Sequence, residues 1–213
     1  MSGMRLWIVI LAVATLFSSA AAAQDEKNEI GGTLGRTFIS DQGLKNVQTF
    51  DPVIHFGKGL SVEATYARRF WVTPIYSIAA EVPFMFNPDI DVNGGAYGQA
   101  VVPGGLKAFF LTPGGRVNLF PTTAVSPWVS LGVGFAHFSE SKTLVYGGTN
   151  PGASKSSFAA QGGFGLDVKV WRRMSIRGEV RDYWSGEPNF PLAVTGKTRQ
   201  HNFFVGGGAF WRF

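Results

Sequence analysis

The stretch that most restricts what this chain can become is 200–213, QHNFFVGGGAFWRF. Taken at every second residue, Phe203, Val205, Gly207, Ala209, Trp211 and Phe213 form one uniformly apolar row. Asn202, Phe204, Gly206, Gly208, Phe210 and Arg212 form the other, which is mixed, small and partly polar. A period of two over this length is a strand with one greasy face and one tolerant face. In water, a strand ending on Trp-Arg-Phe would be an exposed, adhesive edge. In lipid the last strand can pair with the first, and the edge disappears. The expectation is a sheet closed on itself, with its apolar face in a membrane.

The other end of the chain agrees. Arg5 is followed by an apolar run at 6–17, too short for the ~20 residues of a membrane helix, and by small residues at 18–23. This reads as a cleavable signal peptide, 1–23, leaving a single mature domain at 24–213; an uncleaved anchor helix is the alternative reading. There is no cysteine. An exported fold without disulfides must be held another way, and a closed ladder of backbone hydrogen bonds is one. No later apolar run has membrane-helix length. With 28 glycines and 14% aromatic residues, the composition favours strands, tight turns and interfacial rings. The net charge is +5, about +4 once Arg5 is removed. The cations are scattered along alternating strands. That pattern argues against nucleic acid and for interior ion pairs and contacts with anionic lipid headgroups.

Strands are expected at 29–39, 59–69, 75–86, 106–120, 128–138, 158–170, 175–184 and 200–213. The third is the cleanest: Tyr76, Ile78, Ala80, Val82, Phe84 and Phe86 oppose Ser77, Ala79, Glu81, Pro83 and Met85. The fourth is interrupted at Pro113-Gly114-Gly115, which suggests a bulge or bend. Connections alternate between long polar segments and short turns, as in outer-membrane barrels with long external loops and short periplasmic turns. An even strand count puts both termini on the periplasmic side. Trp71, Trp128, Trp171 and Trp211 fall at the short turns or the end of the chain, and are expected to form an aromatic belt at one membrane interface. Trp184 falls at the opposite end of a strand. A soluble β-sandwich with core tryptophans would not predict that clustering.

With these segments in place, the chain resembles the small bacterial outer-membrane β-barrel family typified by the OmpA transmembrane domain and OmpX. Residues 115–120 (GRVNLF) and 127–135 (PWVSLGVGF) are similar to that family's fourth and fifth strands. Gly208, Trp211 and Phe213 are similar to the terminal sorting signal of such barrels, with Gly206 where a polar residue is usual. The resemblance implies an all-β, eight-stranded antiparallel up-and-down transmembrane β-barrel in the bacterial outer membrane. It also implies outer-membrane lipids, including lipopolysaccharide, and the barrel-assembly machinery as partners. It implies architecture rather than activity, and it names no surface ligand.

The inward rows hold Glu63, Glu81, Arg116, Asp167, Lys169, Arg177, Glu179 and Arg181. Both signs are present, so the expected interior is a plug of cross-barrel ion pairs; eight strands enclose a space that side chains can fill. His137 and Ser139 share one face near the outer rim, as in the His-x-Ser pair of lipid A deacylases of this form, but the residues that follow that pair in those enzymes are missing. His55 and His201 have no partner at metal-ligand spacing. The glycine runs at 162–165 and 206–208 precede no helix and cradle no phosphate. The expected protein is therefore not an enzyme, needs no cofactor, and has a structural or surface-interaction role. A narrow channel for small, possibly apolar solutes is the alternative, and a lipid-modifying outer-membrane enzyme the third reading.

Overall fold

The structure is a computed structural model and describes residues 26–43, 53–57, 59–90, 92–93, 106–140, 149, 154–186 and 199–213. The expected signal peptide lies outside the described residues. Eight strands form the wall: β1 (Asn28–Ile39), β2 (Gly59–Val72), β3 (Tyr76–Ile90), β4 in two halves (Leu106–Leu111 and Gly114–Leu119), β5 (Val125–Ser139), β6 (Ser154–Lys169), β7 (Met174–Gly186) and β8 (Arg199–Arg212). Each pairs antiparallel with its neighbours in sequence. The ring closes where β8 meets β1, from Glu29 opposite Arg212 to Ile39 opposite Asn202. Closure leaves no unpaired wall edge, which a barrel in hydrocarbon requires. Among the described residues no helix is long and apolar enough to cross a membrane; the crossing is by strands.

Alternation decides what each strand shows to either side. On β3 Ile78, Val82, Phe84 and Phe86 are exposed, whereas Ser77, Glu81, Met85 and Asn87 are buried. On β5 Val129, Leu131, Val133 and Phe135 face out, and Ser130 and Ala136 face in. The exposed apolar side chains run right round the barrel, far beyond the scattered patches of a soluble protein; lipid is the medium that suits them. The short turns, the start of β1 and the end of β8 lie at one rim, where Asn28 and Phe213 exchange backbone hydrogen bonds of 2.9 Å.

The interruption of β4 is not a bulge. Phe84 faces Leu111 before it and Glu81 faces Gly114 after it, three residues along each strand, so no residue is inserted. The ladder thins there because Pro83 and Pro113 have no N–H to donate. The bulge is in β2, where pairing passes from Arg69–Ala79 to Trp71–Ile78 and Phe70 is left unmatched. That extra residue turns Trp71 out to the lipid side while Arg69 stays inside.

Three short strands were not expected from the sequence. Gln42–Gly43 pairs with Val53–Phe56, which pairs with Val92–Asn93. They tie the first long connection to the second. Phe56 is thereby packed against the apolar layer inside the long-loop end of the barrel.

Candidate functional site

The interior is two-tiered. Toward the long loops it is apolar: Met85, Ile90, Leu106, Phe110, Phe138 and Phe204 are buried together with Tyr183. Phe110 lies 5.1 Å from Tyr183 and 5.9 Å from Phe138 between ring centroids. Toward the short turns it is ionic. Tyr183 joins the tiers, since its hydroxyl donates to Glu63 Oε2 at 2.7 Å.

Two carboxylate centres organise the ionic tier. Glu29, at the start of β1, accepts from Arg116 Nη2 and Arg177 Nη2 at 2.7 Å each, and from Arg212 Nε at 3.0 Å. Asp167 on β6 takes Arg177 side-on, with Nε to Oδ1 at 2.6 Å and Nη2 to Oδ2 at 2.9 Å. This two-point geometry is one that guanidinium and carboxylate form well. Deeper in, Arg181 reaches Glu81 with Nη1 at 2.8 Å and both Glu63 and Glu179 with Nε at 3.2 Å. Thr65 and Thr33 donate to Glu63 and Glu179 at 2.8 and 2.7 Å. Gln161 turns its amide oxygen to Arg181 Nη1 at 3.1 Å and to the Gly163 N–H at 3.2 Å, the orientation that gives these donors an acceptor.

The sequence-expected interior residues thus separate into two groups. Glu63, Glu81, Arg116, Asp167, Arg177, Glu179 and Arg181 meet in this network. Lys169 does not. It is the last residue of β6, shares the inward parity, yet is exposed at the short-turn rim, because Asp167 two residues deeper is taken by Arg177 and Arg212. Glu29, Arg69 and Arg212 complete the network and were missed. All three stand at strand ends, where parity still assigns them inward.

Trp128 corrects the expected belt. Its side chain is inside the barrel, 2% exposed, on the inward row with Ser130. Its ring centroid lies 5.0 Å from the guanidinium carbons of both Arg177 and Arg181 and 5.8 Å from that of Arg116. Parity puts the indole on the inner face, and there its electron-rich ring attracts three desolvated cations. Gly165, directly opposite on β6, makes the room: a Cβ there would sit 2.5 Å from the indole. Gly206 does the same for the inward Phe204 ring. Trp71, Trp171 and Trp211 do point outward at the short-turn rim, where Trp171 and Trp211 flank Arg172 and Arg173.

The chemistry this arrangement can do is obstruction. Arg116, Arg181, Glu63 and Glu81 are 0–1% exposed. A water-filled conduit would leave its lining accessible, so at this level side chains occupy the axis. Among the described residues the rim histidine completes no triad. His137 Nδ1 lies 2.8 Å from Ser156 Oγ on the neighbouring strand, and among the described residues no carboxylate pairs with it. His55 and His201 pair instead with Asp41 and Asp182, at 2.9 and 2.7 Å.

A closed eight-stranded wall, apolar outside and carrying an ionic tier within, defines a transmembrane β-barrel protein. Residues 9–213 match the family model described as outer membrane protein beta-barrel domain, and the chain belongs to that family, whose place is the bacterial outer membrane. Among solved structures it is similar to Neisserial surface protein A (NspA), with a TM-score of 0.53 at 9% identity over 87% of this chain and 97% of that one. It is similar also to OprG from Pseudomonas aeruginosa, with a TM-score of 0.53 at 12% identity over 88% of this chain and 96% of that one. Such low identities show a shared fold. No curated protein sequence matches the chain.

Proposed function

We propose that this protein is a non-enzymatic outer-membrane scaffold: a sealed barrel that anchors four long external segments and lets them meet surface ligands. The observation that carries this reading is the filled interior, in which one side chain, Arg181, contacts all of Glu63, Glu81 and Glu179. In this reading the short-turn rim and both chain ends face the periplasm. The outward apolar wall lies in lipid, and Arg199, stacked 4.2 Å over Trp184 at the long-loop rim, meets the lipopolysaccharide headgroups. The test is electrical. Purified protein in planar bilayers should give no steady conductance above the protein-free baseline. Stable single-channel currents from the unmodified protein would sink the scaffold reading and favour a narrow channel.

Gly208, Trp211 and Phe213 serve, in the same reading, as the signal read by the barrel-assembly machinery. Gly208 leaves space at the β8–β1 seam, where a Cβ would collide with the Gly32 carbonyl. Phe213→Asp should leave export intact and slow insertion, so that protein accumulates in the periplasm in pulse-chase fractionation. An insertion rate equal to the parent's at low expression would remove this role from Phe213.

A further inference from the structure

The short-turn mouth holds charge that the interior network leaves over. The network is balanced: Glu29, Glu63, Glu81, Asp167 and Glu179 meet Arg69, Arg116, Arg177, Arg181 and Arg212. At its outer edge a cavity of about 580 Å³ opens at the rim, lined by Lys27, Lys169, Arg69, Arg212, Glu26 and Phe70 among others. Its volume is that of a small-ligand site. Glu26 is occupied by Arg173 at 3.0 Å. Lys27 and Lys169 have no ion-pair partner among the described residues.

Arg69 makes this a built site rather than a pair of surface lysines. It is 8% exposed, its Nη2 reaches Glu29 at 3.5 Å, and its buried Nε has no hydrogen-bond partner. Its charge stands behind the cavity wall and is only weakly met, because Glu29 is shared with Arg116, Arg177 and Arg212. The backbone fixes the donors. The Arg69 N–H donates to the Lys27 carbonyl at 2.8 Å, and the Lys169 N–H to the Ala124 carbonyl at 2.8 Å. The β2 bulge leaves Phe70 on the cavity wall, 67% exposed, so an apolar surface stands beside the cations.

From this geometry we infer that the mouth binds a phosphate monoester carrying an apolar substituent. Two unneutralised ammonium groups, with the half-engaged Arg69 guanidinium behind them, call for a dianion. A phosphate monoester brings a charge of about −1.5 to −2 and three acceptor oxygens; a carboxylate brings one charge and two oxygens. Phe70 and Val72 would take the organic part. The ester can come from a lipid headgroup or from a soluble metabolite.

The experiment follows the arginine Nε–H signals of the full barrel, refolded with 15N-labelled arginine, with Arg69 assigned by its loss in Arg69→Lys. One arm titrates phenyl phosphate and inorganic phosphate in zwitterionic micelles. The other compares nanodiscs of zwitterionic phospholipid with and without phosphatidic acid. A saturable Arg69 shift with phenyl phosphate, tighter than with inorganic phosphate and lost at high salt, supports the site with a soluble ligand. A shift with phosphatidic acid alone supports it with a lipid one. The double variant Lys27→Gln, Lys169→Gln should weaken either by roughly tenfold, as expected for two solvent-accessible ion pairs. Its Arg177 and Arg181 signals should stay unchanged, which reports an intact interior. No saturable shift with any probe, or equal binding by the double variant, overturns the proposal.

Discussion

Arg177→Ala should destabilise the folded barrel by about 3–5 kcal/mol, the range for removing one member of a fully desolvated ion cluster. Arg177 is the most engaged cation of the lower tier. It holds Asp167 at two points and Glu29 at a third, and its guanidinium carbon lies 3.7 Å from the Phe210 ring centroid. Glu29 would retain Arg116, Arg212 and Arg69. Asp167 would not fare so well, since its other contacts are Arg212 at 3.7 Å and Asn118 at 3.4 Å. The loss is thus mostly a stranded carboxylate, and Arg177→Ala with Asp167→Ala should lose less than the two single changes added together. Equilibrium urea unfolding in bilayers measures it. A loss below about 1 kcal/mol for the single variant would mean that water reaches Asp167 and that the tier is not desolvated.

Val82→Arg should cost about 2–4 kcal/mol, the range for a cation on the lipid face near the bilayer midplane. Val82 is outward near the middle of β3 and pairs with Tyr66 across the β2 seam. Its neighbour Glu81 points the other way and accepts from Arg181. The register sets this contrast, because a slip of one residue would exchange the two faces of the whole strand. The same unfolding assay reads it, with Ala80→Arg as a second outward site expected to behave alike. If Val82→Arg were neutral while Ala79→Arg, on the inward row, carried the cost of a cation in lipid, the assigned facing of β3 would be wrong.

Much of this was legible because parity is a strong signal. The inward position of Glu63, Glu81, Arg177 and Glu179 follows from apolar or glycine neighbours one residue to either side, and Arg181 continues the row of Arg177 and Glu179. The same signal held information that a competing rule concealed. Trp128 shares the row of Ser130 and Gly132, yet its place beside a short turn suggested an interfacial ring. Glu29 and Arg212 sit opposite one another at the β1–β8 seam, and their meeting depends on closure, which no single segment encodes. Partner choice across the lumen was likewise illegible. Which carboxylate Arg181 meets depends on strand tilt and stagger, and these are properties of the whole barrel. The apolar tier toward the long loops was missed for a simpler reason: inward Phe110, Phe138 and Phe204 share their rows with Thr112, Ser130 and Asn202, so an interior of one chemistry was the simpler expectation.

The central claim is that the interior is closed to water, and the chain's lack of cysteine makes it directly measurable. Ser130 is buried beside Arg181, whose Nη1 lies 3.3 Å from its hydroxyl, and Ser130→Cys changes one atom. In folded, membrane-inserted protein this thiol should not react with a charged, water-soluble maleimide, whereas in urea-unfolded protein it should react fully. Rapid labelling of the folded barrel at position 130, comparable to that of the unfolded chain, would show a hydrated lumen and contradict the account.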